Sequence, residues 1–240
     1  QAKTLFPYTT LFRSKQKAEL IGNSSPQLIA HAMSNCYHSN CSMKSVVKSV
    51  KAGHHSILDH GFATLDLTMS VKCLGQFTRH IFLKPTVESS RGVDLTINGV
   101  YSDWQKPTYI TNDTWQRFLR DVENQLKTAS KVITDESYVG IPLEYLSYVL
   151  PLGVMTNLTV TANYRAWFEY LPKRLCKRAS FEHMNLAIDI YKELHKVFPE
   201  VFNLYILGVC KNCTETSCDF SSHKVKPKEP LLLDLKKAGL

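Results

Sequence analysis

The sequence contains no apolar run approaching the roughly twenty residues that a membrane-spanning helix needs, so a transmembrane segment is not expected. It has no internal repeat, and no linker divides it convincingly, which argues against a solenoid or a string of domains. Acid is in short supply: 21 Asp and Glu stand against 29 Lys and Arg, for a net charge of +8 and a pI near 9.1. That balance favours anionic partners. Basic stripes interleaved with aromatics are missing too. Basic residues concentrate only at 173–178 and in a Lys-Pro tail, so the charge points to nucleotides or phosphorylated cofactors rather than to nucleic acid.

Nor is there a disulfide framework. Of seven cysteines, Cys36, Cys41, Cys73 and Cys176 lie far apart, a pattern of reduced thiols in a cytoplasmic protein. Cys210, Cys213, Cys218 and His223 have metal-like local spacing, but the match to zinc modules is loose; a thiol-rich tail explains them as well, and no metal is assigned. Residues 1–14 read like a translated DNA-sequencing adapter or a disordered arm and are set aside, which points to an environmental or viral source.

What remains is ordinary for a globular chain, 44% hydrophobic and 21% charged. The patterning predicts a single α/β (α+β) domain over 15–209, with a central, mostly antiparallel sheet flanked by helices, and a tail over 210–240. A short strand is expected over 16–21. A helix toward Cys36 follows Pro26, with Ser25 as its cap. Alternation over 62–71 places Ala63, Leu65, Leu67 and Met69 on one face of a half-buried strand. Residues 72–82 have helical character, which puts Arg79 and His80 near a helix end. Three- and four-residue steps from Trp115 to Ala129 predict a long amphipathic helix capped by Asn112 or Thr114. A short helix starts at Pro142. A second strand carries Leu158, Val160 and Ala162 into a helix from Tyr164 that Pro172 interrupts. A last periodic helix runs from Phe181 to Val197.

One stretch carries chemistry. Arg79-His80-Ile81 is followed after seven residues by Ser89-Ser90-Arg91. Arg offers a planar fork suited to phosphate or a pyrimidine carbonyl, and His adds a second donor. Pro85 makes a turn between the two halves plausible, so both can face one ligand. Taken alone, the pair also fits a solvated face.

The wider context resembles the flavin-dependent thymidylate synthases, whose signature is Arg-His-Arg, seven residues, then Ser. Arg79, His80 and Ser89 sit in that register, with Gln76 upstream and Arg91 downstream. The segment Gly53-His54-His55-Ser56-Ile57-Leu58-Asp59-His60 is similar to the family's Gly-His-x-Ser/Thr-x-x-Glu-His element. Tyr148-Val149-Leu150-Pro151, then Asn163-Tyr164-Arg165, then Arg174 resemble three further elements in order. The resemblance implies a homotetramer with shared active sites. It implies FAD, NADPH and methylenetetrahydrofolate as cofactors and co-substrate, and conversion of dUMP to dTMP. It places His54, Ser56, Asp59, Arg79, His80, Asn163 and Arg165 on the flavin side. Gln76, Arg79, Ser89, Arg91 and Arg174 fall on the dUMP side, with Ser89, Arg174 and Arg79 nearest the chemistry. Ser89 reads as a positioning and polarising hydroxyl rather than a nucleophile.

The departures are equally specific. Ile81 replaces the third member of Arg-His-Arg. Val87 stands where the family has Glu, with Glu88 next door as a replacement. Ser147 occupies the place of a dUMP-binding Arg, Glu169 that of an Asn, and Gly92 that of a Tyr. They leave room for C5 modification of another pyrimidine deoxynucleotide such as dCMP, and for a flavin- or nucleotide-binding homologue without catalysis. A thymidylate synthase that relies on folate alone is disfavoured, because its nucleophilic Cys follows a Pro and no Cys does so here.

Overall fold

The computed structural model describes residues 13–210, 213 and 214. The expected α/β class is what the chain adopts. Its strands and helices alternate as β1 (Arg13–Ser14), β2 (Lys17–Asn23), α1 (Gln27–Tyr37), α2 (Met43–Lys51), β3 (Phe62–Ser70), α3 (Val71–Phe77), β4 (Lys84–Val87) and β5 (Val100–Tyr101). There follow α4 (Asn112–Thr134), α5 (Leu143–Leu146), β6 (Met155–Asn163), α6 (Tyr164–Arg174), α7 (Phe181–Val197) and α8 (Leu204–Leu207). Four strands form one sheet in the order β2-β3-β6-β4. Side-chain bonds joining Thr64 to Thr161 (2.9 Å), Asp66 to Thr159 (2.6 Å) and Thr68 to Asn157 (2.8 Å) show β3 and β6 antiparallel, since one index falls as the other climbs. No helix among the described residues is long and apolar enough to cross a membrane.

The chain divides into two compact units. The first comprises the described part of Gln1–Gln16 with Thr68–Gln76 and Thr86–Leu158; the second comprises Lys17–Leu67, Phe77–Pro85 and the described part of Thr159–Leu240.

In the second unit α7 packs on β2, and α6 packs on α7 and on the 3-10 turn His55–His60. The alternation read from β3 is real: Ala63, Leu65 and Leu67 are buried. Trp167 is fully buried, and its indole N–H donates to the Ala63 carbonyl at 3.1 Å, which satisfies its one polar atom. The Tyr164 hydroxyl likewise donates to the Ser24 carbonyl at 2.7 Å. Gly61 is required by that ring, because a Cβ there would lie 2.5 Å from Tyr164 Cδ2. Ahead of α1 the Ser25 hydroxyl accepts from the Gln27 amide at 3.3 Å, while Pro26, not Ser25, holds the N-cap position.

In the first unit, Leu95, Val100, Leu126 and Val154 form the apolar core beneath α4. Arg13 and Ser14 pair in parallel with Val100 and Tyr101.

Three further local expectations are corrected. Helix α3 stops at Phe77, so Arg79 and His80 lie in a turn beyond it. The reason is Pro85, which commits Lys84 to extended backbone and forces the reversal into the residues between. The cap of α4 is Thr111, whose hydroxyl accepts from the Thr114 amide at 3.2 Å; Asn112 and Thr114 are already inside the helix. Pro172 does not break α6: it lies inside the helix, which runs on to Arg174 although the proline has no N–H to donate to the Phe168 carbonyl one turn earlier.

Candidate functional site

The turn after α3 is built from the backbone outward. The His80 amide donates to the Phe77 carbonyl at 3.0 Å, and the Leu83 amide to the His80 carbonyl at 2.9 Å. Lys84 Nζ closes the loop on the Ile81 carbonyl at 2.8 Å. With Leu83 buried as its anchor, the turn lines a cavity of about 130 Å³ with Arg79, His80, Ile81, Glu169, Tyr170 and Lys173. Arg79 is exposed, and Ile81, 67% exposed, stands at the wall where a third cation was expected.

Arg174 Nε donates to His80 Nε2 at 2.8 Å. The His80 ring meets Tyr170 edge-on, centroids 4.9 Å apart, and the Tyr170 hydroxyl lies 3.1 Å from His183 Nε2. Burial, then the charges of Arg174 and Lys173, push His80 down to about 4. Burial, Arg174 and His80 push His183 down to about 3. Both rings are therefore neutral at pH 7. His183 is fully buried, and its Nδ1 has no hydrogen-bond partner among the described residues. Sequence reasoning missed this residue. Its signal was spacing, since 183, 186, 187, 190 and 194 make the buried stripe of α7.

Beside this network, Asp59 joins two flavin-side candidates. It accepts from Asn163 Nδ2 at 2.8 Å and from Arg165 Nη1 at 3.2 Å, so the shorter carboxylate still reaches both. Asn163 also caps α6 through the Ala166 amide at 2.8 Å, and Arg165 Nε bonds Glu169 at 2.9 Å. His54 and Ser56 are exposed at the 3-10 turn that carries Asp59.

In the first unit a separate cavity of about 410 Å³ is lined by Ser89, Ser90, Arg91, Ser147 and Thr156 above an apolar floor that includes Leu74 and Leu150. The Ser89 hydroxyl accepts from the Arg91 amide at 3.3 Å, which folds the loop back on itself. Arg91 Nε pairs with Glu144 at 3.2 Å, both side chains well exposed. Ser147 turns its hydroxyl to the Glu144 carbonyl at 2.8 Å rather than substituting for the missing guanidinium. Glu88 is committed as well. Its Oε2 accepts from Asn98 Nδ2 at 2.7 Å and from the Asn157 amide at 3.1 Å, so it pins the loop and does not take the role Val87 vacates. Thr156, only 1% exposed and with its hydroxyl unpartnered, was also missed; it shares the inward parity of Leu158 and Val160 on β6.

The structure thus groups Arg79, His80 and Arg174, and separately Asp59, Asn163 and Arg165, in the second unit. It places Gln76, Ser89 and Arg91 in the first. Among the described residues no group of three or more His, Cys, Asp or Glu can hold a metal ion; Cys218 and His223 lie outside the described residues.

Comparison with known proteins places these elements in a wider set. The sequence profile described as thymidylate synthase complementing protein matches residues 19–200. A flavin-dependent thymidylate synthase of Sulfurisphaera tokodaii is 27% identical over 155 residues, covering 62% of this chain and 56% of the relative. The chain thus spans little more than half of that protein's length. A flavin-dependent thymidylate synthase of Mycobacteroides abscessus is 23% identical over 220 residues, covering 80% and 84%. Among solved structures, a UMP/dUMP methylase from Streptomyces cacaoi bound with 5-Br dUMP superposes with a TM-score of 0.70 at 18% identity, over 81% of this chain and 96% of the other. The fold is shared.

Proposed function

The chain belongs to the thymidylate synthase complementing protein family, and from that premise we propose that it is a flavin-dependent thymidylate synthase, which methylates dUMP at C5 to dTMP. The observation that carries the reading is the placement of the signature. Arg79 and His80 line the cavity of one unit, and Ser89 and Arg91 line the cavity of the other. FAD, reduced by NADPH, supplies the hydride that completes the methyl group, and methylenetetrahydrofolate supplies the carbon.

The donors of the second unit suit FAD. Arg165 commits two of its five N–H donors to carboxylates, which leaves three for a phosphate or ring carbonyl. Arg79 and Lys173 line their cavity without a carboxylate partner among the described residues. His80, neutral and hydrogen-bonded, orders its wall of that cavity without adding charge.

On the nucleotide side Arg91 is held only by an exposed ion pair. Such pairs contribute about 0–1 kcal/mol, so exchanging Glu144 for a phosphate or pyrimidine carbonyl costs little. A cation at that carbonyl stabilises the negative charge that makes C5 nucleophilic. Ser89 accepts from the Arg91 amide and keeps its own proton for a substrate oxygen; no base is bonded to it, as a polarising hydroxyl requires.

Self-association, as a homotetramer with shared active sites, is part of the reading. It is supported by apolar side chains standing in water over 138–152, among them Val139 (84% exposed), Tyr148 (87%) and Leu152 (67%). A second reading, C5 modification of dCMP, is favoured by Ser147, whose hydroxyl is turned away into its own helix.

The test is spectroscopic and then chemical. Purified protein takes up FAD, NADPH bleaches its absorbance, and dUMP with methylenetetrahydrofolate yields dTMP. A protein that takes up no FAD, or one that turns over dCMP alone, overturns the assignment.

A further inference from the structure

Arginine has no lone pair to accept with, so the direction of its bond to His80 is unambiguous. Arg174 Nε donates at 2.8 Å, and His80 Nε2 must be the acceptor. An imidazole that accepts at Nε2 carries its one proton on Nδ1. Neutral imidazole in water prefers the other tautomer, with the proton on Nε2, so this bond selects against the intrinsic preference.

The remainder of the second unit holds that choice in place. Tyr170, 1% exposed, meets His80 edge-on at 80°, which fixes the ring plane. The Tyr170 hydroxyl is tied to buried His183 at 3.1 Å. The titratable and charged groups around His80 are Arg79 from its own turn, Glu169, Tyr170, Lys173 and Arg174 from α6 and His183 from α7. The one carboxylate among them, Glu169, accepts from Arg165 Nε at 2.9 Å.

We propose that Arg174 is a positioning residue for His80, locking it as the Nδ1–H tautomer and making it a fixed hydrogen-bond donor at the cavity rather than a proton acceptor or a cation. This rests on the proposed function only in naming the cavity's occupant. Toward a flavin, such a donor suits a ring nitrogen or carbonyl oxygen, and it excludes His80 as the base that takes a proton from substrate. Arg174 serves His80 through Nε, one of its five N–H donors, so contact with a nucleotide through the outer nitrogens does not require releasing that ring.

The tautomer is read directly from ring ¹⁵N correlations of the histidines in the full chain at pH 7, without flavin or substrate. Wild-type His80 shows one protonated Nδ1 and one unprotonated Nε2. In Arg174→Leu the Nδ1–H signal is lost and the proton moves mainly to Nε2. Arg174→Met, which keeps an extended side chain but no donor, gives the same loss. His195 is the internal control, because its Nδ1 lies 2.7 Å from the Phe202 carbonyl and so carries a proton whatever happens at residue 174. If Arg174→Leu loses the His195 signature, it has unfolded, and the wild-type and Arg174→Met spectra decide. A wild-type His80 protonated at Nε2 or at both nitrogens overturns the proposal, and so does an unchanged tautomer in a folded variant. The outcome is independent of catalysis: a protein that takes up no FAD but shows the Nδ1–H tautomer refutes the proposed function and leaves this assignment standing.

Discussion

The two cavities are made in opposite ways. In the second unit the wall is backed by a buried aromatic and imidazole core of Phe77, Trp167, Tyr170 and His183, each at most 1% exposed. Arg174 is bonded to His80, and Tyr170 to His183, before any ligand arrives. In the first unit the wall is a loop, and its key cation is held by a solvent-exposed ion pair beside side chains such as Tyr148 that stand in water. The contrast teaches that one site is preorganised by its own core, whereas the other keeps adjustable groups for a ligand or a second copy to fix.

The sharpest way to break that contrast is to remove the core behind the first-described cavity. Trp167→Ala deletes a fully buried indole and its bond to Ala63, and is expected to cost about 3–5 kcal/mol in denaturant unfolding. A loss below 1 kcal/mol would show that the wall is not core-supported. Arg91→Ala, in the adjustable cavity, should leave unfolding nearly unchanged and weaken the nucleotide interaction by about 1.5–3 kcal/mol, seen as a tenfold or larger rise in the KM for dUMP. If FAD uptake falls instead and KM holds, the division of labour is wrong.

Gly61→Ala tests packing without touching polarity. The new methyl meets Tyr164 at 2.5 Å, and a destabilisation of about 1–3 kcal/mol is expected from the forced shift. Acid should weaken the fold through the same core. His80 and His183 stay neutral in the folded chain down to about 4 and about 3, whereas the unfolded chain takes up protons below the ordinary histidine value of 6.5. Over that interval the unfolded state binds more protons, so stability rises with pH and is lost as pH falls from 6.5 toward 3. His183→Gln, which cannot titrate, should flatten the dependence of the unfolding midpoint on pH; an equally steep slope would remove His183 as a cause. The smallest effect belongs to Asp59→Asn. Its ion pair with Arg165 is exposed, so stability should change by under about 1 kcal/mol. The readout that matters there is FAD affinity, which drops if Asp59 orients Arg165 and Asn163.

How much of this was legible beforehand depends on the kind of interaction. Strands β3 and β6 follow from local pattern, because alternation acts over a few residues. Glu88 shows the limit. Its carboxylate looked like a neighbour's replacement, yet it is claimed by Asn98 and by Asn157, the latter far away in sequence. Pro172 shows another, since α6 runs on past it to Arg174.

By itself the sequence determined the α/β class and the family. These are written in short-range periodicity and in ordered motifs, which need no knowledge of what packs where. Only tertiary structure decided that Arg174 donates to His80 and that His183 lies buried behind them. Each of those outcomes pits one side chain's hydrogen bonds against burial by segments distant in the chain, and that competition is settled only when the segments meet.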